Sequence, residues 1–216
     1  LDQRDAKLTI QELKNQKKKF SIAEKNKVLT IASTHSNEEK LLLNELIPLF
    51  KKHSDLKIFL APRHPDRFLS VEKLLIEKKI PYSKYSDLKN IHLAQVVLID
   101  TIGFLNTCFQ FSDLAIVGGS FVKVGGHNIL EPIFHNVPAV FGPFMHSQKQ
   151  IEKLALDSNC AKKLYIFQLS SFVDEYFSDE KIKEKLVANC KKLENNCSGS
   201  LDATWSKIFP IIDACR

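Results

Sequence analysis

Several things are scarce in this sequence, and each shortage closes off a class of protein. No apolar run approaches the ~20 residues needed to span a bilayer, and no signal peptide is visible. The cysteines are odd in number, five, and none stand in a Cys-x-x-Cys pair, so neither a disulfide framework nor a thiolate metal site is expected and the thiols are read as reduced. The seven histidines are scattered without zinc-site spacing, and no Asp-x-Asp pair is present to hold a divalent ion. We therefore expect no metal and no cofactor. Interleaved aromatic and basic residues are lacking as well, which argues against nucleic acid as a partner. Repeats and low-complexity tracts are absent. Methionine occurs once, at Met145, and the chain opens on Leu1, as a portion excised from a longer protein would.

What is present fits one α/β domain. A chain of 216 residues with 44% hydrophobic content can bury a single good core. The net charge is +6, and the first 27 residues contribute most of it, with eight Lys/Arg against four Asp/Glu. A mild basic excess suits work beside anionic lipid or an anionic substrate. Residues 1–26 read as a linker with a short basic helix, and residues 27–216 as the domain. Within the domain, Val28–Ala32, Leu56–Ala61, Val96–Asp100, Leu114–Val117 and Val137–Pro143 read as buried strands, with a short edge segment at Tyr82 and a last strand from Lys162 to Phe167. Helical patterns fall between them: one through Leu41 to Phe50, another from Asp66 to Lys79, others ending near Phe111 and Leu156, and two or three after Ser170, with Trp205 and Phe209 as anchors. Regular alternation with short turns predicts a doubly wound parallel sheet of the Rossmann-like kind.

The stretch from Gly118 to Pro132 organises the rest, because it holds four of the chain's seven glycines directly after a buried strand. Glycine this dense marks backbone that something approaches closely. Asn128 is a good helix cap, and the run from Asn128 to Phe134 reads as the first turns of a helix. Unpaired N–H groups at such a start favour a phosphate, so the amides of Gly125, Gly126, His127, Asn128, Ile129 and Leu130 are candidate donors. Glu131, one turn in, would repel a phosphate on the same spot; its carboxylate better suits a pair of sugar hydroxyls, or else simply the helix macrodipole.

Two other turns lie at the carboxyl ends of strands, where open α/β sheets bind their ligands. Pro62 ends the second strand and Arg63 follows it, offering a fixed fork of donors to a phosphate or a carboxylate. The loop Gly103-Phe104-Leu105 follows the strand at Val96–Asp100. Its main-chain groups can read a base edge, while the Phe104 side chain reads as core. Ser36 or Asn37 can cap the helix after the first strand, with Glu38 and Glu39 in its first turn. Ser147 and Gln148 read as plain helix capping, with lining of the cleft mouth as the alternative.

Three phrases carry a resemblance to a known family. Gly118-Gly119-Ser120 followed by Gly125-Gly126-His127-Asn128-Ile129-Leu130-Glu131-Pro132 looks like the signature of the 3-deoxy-D-manno-octulosonic acid (Kdo) transferases. Ala61-Pro62-Arg63-His64-Pro65-Asp66-Arg67-Phe68 and Asp100-Thr101-Ile102-Gly103 match in the same order, the latter resembling the family's loop against the nucleotide base. Ser33-Thr34-His35 with Glu38-Glu39 resembles a further motif, although the family usually has a glycine and an acidic residue where Ser36 and Asn37 stand. A glutamate also commonly follows Gly103 where this chain has Phe104. The resemblance runs from Lys27 to about Lys163.

That resemblance implies the carboxyl-terminal half of a GT-B glycosyltransferase. Its donor would be CMP-Kdo, held by Pro62, Arg63, Gly103, Phe104, Leu105 and Gly125 to Glu131. The acceptor would be a lipid A precursor at the cytoplasmic face of the bacterial inner membrane, so a membrane surface is a partner through the parent enzyme. The catalytic base would belong to an amino-terminal domain absent from this chain, whose connection Leu1-Asp2 would end, and no catalytic residue is assigned here. Two other readings stay open: a UDP-sugar-dependent GT-B enzyme or epimerase, and a non-catalytic interaction module built around the basic first segment.

Overall fold

The computed structural model describes residues 7–213, with side chains described over residues 7–197. Seven strands form one sheet: β1 (Lys27–Thr34), β2 (Leu56–Pro62), β3 (Tyr82–Lys84), β4 (Val96–Leu98), β5 (Leu114–Val117), β6 (Ala139–Phe141) and β7 (Ala161–Lys163). Their order is β3-β4-β2-β1-β5-β6-β7, and every pairing between them is parallel. The chain first winds outward from β1 through β2, then returns to lay β5 on β1's other side. This is the doubly wound sheet the alternation predicts. Its switch point falls between β1 and β5, where ligands of such sheets sit.

The near-continuous apolar strands are explained by burial on both faces. Leu29, Ile31, Ile58, Leu60, Val96, Leu98, Leu114 and Ile116 meet one layer of helices, among them α2 (Glu38–Leu46), α4 (Phe68–Glu77) and α8 (Leu169–Ser178). The alternate residues Val28, Phe59, Ala61, Val97 and Ile99 meet Phe20, Cys108 and Phe111 on the other face, the last two beside α5 (Leu105–Gln110). Each large apolar side chain buried this way contributes about 1.5–3 kcal/mol before entropy is counted. Further helices are α6 (Leu130–Ile133), α7 (Lys149–Asp157) and the long α9 (Glu180–Asp213). Trp205 and Phe209 fall outside the described side chains, and Leu1-Asp2 outside the described residues. No helix among the described residues is long and apolar enough to cross a membrane.

The structure departs from the sequence reading in a few places. The helix expected through Phe50 is split into α2 and the single turn α3 (Leu49–Lys52) around Pro48, whose ring cannot continue the hydrogen-bond ladder. The last strand is Ala161–Lys163 alone; the apolar residues after it turn into a 3₁₀ segment at Ile166–Gln168, with Leu164 and Ile166 packed on the core. Within residues 1–26 lies the helix α1 (Ile10–Lys19), started by a Thr9–Glu12 capping box and burying none of its own residues. Behind it Phe20 and Ile22 are built into the core. Lys57 of β2, 5% exposed, donates its ammonium to Phe20 O at 2.8 Å and Ile91 O at 3.1 Å, and its burial pushes that ammonium's pKa down.

Candidate functional site

The carboxyl ends of β1, β2, β4 and β5 bring the three sequence phrases together. Gly118 packs against the end of β1, donating its N–H to Ala32 O at 2.7 Å; an added Cβ would collide with Ser33 O, Thr34 Cα and the Glu38 carboxylate. That close approach is why this position is glycine. The amides beyond it are already taken. Glu38, fully buried, accepts from Gly119 N at 2.8 Å, Ser120 N at 3.2 Å, Phe121 N at 2.9 Å and His35 N at 3.1 Å. The first half of the glycine stretch is therefore an anion site filled by the protein's own carboxylate. Burial raises the Glu38 carboxyl, and the amides hold it partly down.

Glu39, beside it in sequence and also buried, has a different partner. Arg67 grips it with Nη2–Oε2 at 2.7 Å and Nε–Oε1 at 3.3 Å, and Thr34 Oγ1 donates to Oε1 at 2.9 Å. Such a two-bond fork fixes the turn after β1. Asn37 takes the left-handed conformation there, φ 68°, and makes no side-chain cap bond. The capping expected of Ser36 or Asn37 is thus corrected: the Glu38 N–H goes to His35 O at 3.1 Å, and asparagine supplies the positive φ at little cost.

The second half of the stretch is open. Gly125 (φ 117°) and Gly126 (φ 81°) turn the chain, with Gly126 N donating to Gly119 O at 2.8 Å. Among the described residues no acceptor reaches the N–H of Gly125, His127, Asn128 or Ile129. Asn128 stands one residue ahead of the N-cap, which is Ile129, and its Oδ1 accepts from Leu130 N at 3.0 Å. The helix that follows is shorter than the sequence suggests, four residues in α6, because Asn136 takes the left-handed conformation, φ 64°, and Val137 N closes onto Pro132 O at 3.1 Å, turning the chain out after one turn. A single turn carries little macrodipole, so the attraction for an anion at this point rests on the open amides and nearby cations.

Those cations come from the end of β2. Pro62 is buried; Arg63 ties its N–H to Thr34 O at 3.0 Å and leaves its side chain exposed. Its charge acts on Glu131, His127 and His35, so it lies near the residues that flank the glycine turn. His127 Nε2 lies 2.7 Å from His35 Nε2, with rings stacked at 10° and centroids 5.0 Å apart, while His64 meets His35 edge-on at 5.4 Å. Burial first, then the charges of His35, Arg63 and His64, push His127 down to about 4, so one neutral ring donates to the other. The exposed carboxylate of Glu131 is raised by the protein packed round it and held partly down by Arg63 and the Asn128 side chain.

Pro62, Arg63, Gly103 and Leu105 line one cavity of about 90 Å³, together with Ser33 and Thr101. Gly103 has φ 86° and open space where a Cβ would be, so the backbone turn, not crowding, calls for glycine. The Phe104 side chain points away from this cavity into an aromatic group, 4.4 Å from Tyr85 and 5.6 Å from Phe20, in line with its reading as core. Among the described residues no three His, Cys, Asp or Glu side chains gather to hold a metal ion.

Ser147 and Gln148 depart from expectation. Gln148 takes the N-cap position of α7, its carbonyl accepting from Glu152 N at 2.9 Å, but no side chain makes a cap bond there. Sequence reasoning also missed the tasks of Glu38, Glu39 and His35. The signal available for Glu38 was Gly118, whose missing side chain means that something must press against it.

No family model matches the chain. A solved structure, the carboxyl-terminal CMP-Kdo binding domain of WaaA from Acinetobacter baumannii, is 30% identical with a TM-score of 0.78, covering 85% of this chain and 96% of that one. A bifunctional glycosyltransferase/methyltransferase of Fusobacterium nucleatum is 31% identical over 214 residues, 91% of this chain and 33% of the relative. A 3-deoxy-D-manno-octulosonic acid transferase of Chlamydia pneumoniae is 30% identical over 184 residues, 83% of this chain and 41% of the relative. The chain thus spans less than half the length of these curated relatives.

Proposed function

The chain belongs to the Kdo transferase family, and we propose that, as its carboxyl-terminal domain, it holds CMP-Kdo for a GT-B glycosyltransferase of lipopolysaccharide biosynthesis. The parent enzyme would move Kdo to a lipid A precursor at the cytoplasmic face of the inner membrane. In this reading the phosphate lies over the amides of Gly125 and His127 to Ile129 with Arg63 beside it. Glu131 takes the ribose hydroxyls. The cytosine enters the cavity between Pro62 and the loop at Gly103 to Leu105, where Ser33, Thr101 and main-chain groups offer hydrogen bonds. The observation that carries the reading is the row of open amides with the exposed Arg63 side chain nearby.

The chemistry follows from charge. As the sugar departs, negative charge grows on the phosphate of the leaving CMP, and N–H groups already aimed at it lower the barrier without reorganising. Arg63 adds a charge-assisted contact. These donors belong to the chain itself, so we expect transfer by the parent enzyme to persist in a chelator. The acceptor hydroxyl needs a base, and we propose that the other domain supplies it: His127 and His35 are committed to each other.

Calorimetry with CMP and UMP tests the assignment. Preference for CMP is expected; clear preference for UMP would move the chain to the UDP-sugar enzymes. Failure of either nucleotide to bind would favour the interaction module.

A further inference from the structure

In the loop after β4, Gly103 and Leu105 line the cavity beside Pro62, and Phe104 between them does not. The half-buried Phe104 ring packs instead on Tyr85, with centroids 4.4 Å apart, and on Phe20 at 5.6 Å. Lys19, in the last turn of α1, holds its ammonium over all three rings: 4.3 Å from Tyr85, 5.3 Å from Phe20 and 5.7 Å from Phe104. Each distance lies within the roughly 6 Å over which a cation is drawn to an aromatic face.

The ring cluster is itself fixed to the sheet. Phe20 is fully buried, edge-on to Phe59 of β2 at 5.2 Å, and its carbonyl accepts from the Lys57 ammonium at 2.8 Å. Tyr85 donates its N–H to Leu98 O, the end of β4, at 2.9 Å. Ser86 beside it donates from its N–H to Asp100 Oδ1 at 2.9 Å and from its hydroxyl to Asp100 Oδ2. The turn at Tyr85 and Ser86 therefore holds the loop at both ends, through Asp100 and through Phe104. The segment before β1 also reaches the far end of α5, where Leu8 N donates to Gln110 Oε1 at 2.7 Å. Between these fixed points stands Gly103, at φ 86° with open space where a side chain would be, so the loop has little stiffness of its own.

We propose that Lys19, Phe20 and Tyr85 are positioning residues for the nucleobase: they pin the Phe104 ring from behind and so set where the main-chain groups of Gly103 and Leu105 stand. The inference rests on the reading that the base of the donor enters the cavity between Pro62 and Leu105. Main-chain donors and acceptors discriminate between ligands only when held within about 0.5 Å of the productive geometry, and a loop hinged on glycine needs that support from its surroundings. The arrangement requires a ring at Phe104, where the resemblance would place a glutamate. Residues 1–26, expected to be a linker, thus carry part of the support of the site.

The test measures CMP by calorimetry, with ribose 5-phosphate as a competitor that lacks the base, on the purified 216-residue chain and its variants Phe104→Ala, Lys19→Gln and Lys19→Arg. Melting curves check that each variant is folded; Lys19 is exposed, so Lys19→Gln decides the matter should Phe104→Ala fail to fold. Phe104→Ala should weaken CMP by about tenfold and Lys19→Gln by about threefold, while Lys19→Arg, which keeps a cation over the rings, stays within about twofold of wild type. Ribose 5-phosphate should hold within about twofold in all three, because the support acts on the base alone. Unchanged CMP affinity in Lys19→Gln, equal weakening of both ligands, or a Lys19→Arg as weak as Lys19→Gln would overturn the proposal. Ribose 5-phosphate binding wild type as tightly as CMP would instead show that the base lies outside the cavity, and the placement on which the proposal rests would be what had failed.

Discussion

One glycine-rich stretch contains two loops that look alike in sequence and have opposite fates. Gly118 to Phe121 and Gly125 to Ile129 both lie in the connection after β5 and both present consecutive amides. In the first, Glu38 fills the site and the hydrogen bonds go to stability. In the second, no protein acceptor among the described residues reaches the N–H of Gly125, His127, Asn128 or Ile129. A nest of N–H groups is therefore not by itself a binding site. What decides is whether the chain brings its own anion, and here the helix after β1 delivers one carboxylate to one loop and none to the other.

The sharpest way to break the comparison is to remove that internal anion. Glu38→Ala orphans four buried N–H groups, each costing about 1–3 kcal/mol when left unpaired, less what water restores. A loss of about 3–5 kcal/mol in urea unfolding is expected, with the fully folded fraction still able to bind CMP. A variant as stable as wild type would mean that the first loop is no more filled than the second.

The matching change in the open loop should act on binding and leave stability alone. Among the described residues Arg63 hydrogen-bonds through its backbone N–H, to Thr34 O, and its side chain is exposed. Arg63→Ala should therefore shift the midpoint of unfolding by less than about 0.5 kcal/mol. CMP affinity should fall by about 1.5–3 kcal/mol, the worth of a hydrogen bond to a charged group. Unchanged affinity in calorimetry would remove Arg63 from the site; a large loss of stability would make it a structural residue like Arg67.

That pairing also shows what the sequence could convey. The strands, their alternation and the doubly wound sheet were legible because a strand buried on both faces reads as a nearly continuous apolar run, as Ile58 to Ala61 does throughout and Leu29 to Ala32 does apart from Thr30. The candidate turns were legible because glycine and proline mark them, and Pro62, Arg63, Gly103 and Leu105 do meet in one cavity. The split between the two loops was not. It depends on Glu38 reaching amides eighty-odd positions away, and a carboxylate in a first helical turn has a local explanation that hides the distant one. The length of α6 was misread for a related reason: a helix does start just after Asn128, but Asn136 in the left-handed conformation turns the chain out after one turn. Arg63 and Arg67, four apart in one phrase, likewise look interchangeable until Glu39 is seen to claim Arg67.

The smallest expected effect, and the one that best separates a filled loop from an open one, is in the pH dependence. His127 and His35 both sit below the ordinary histidine value, through burial and neighbouring positive groups, His127 at about 4. The unfolded chain then binds more protons than the folded one between pH 6.5 and about 4, so the contribution is present above pH 6.5 and is lost as the pH falls toward 4. From pH 7 to pH 5 the free chain should lose about 1–2 kcal/mol in urea unfolding, and His127→Asn should remove most of that slope. A bound phosphate adds negative charge beside the histidines and favours their protonation, so saturating CMP should shrink the loss. If CMP leaves the slope untouched while still binding, its phosphate lies away from His127, and the open amides beside that ring are not what holds it.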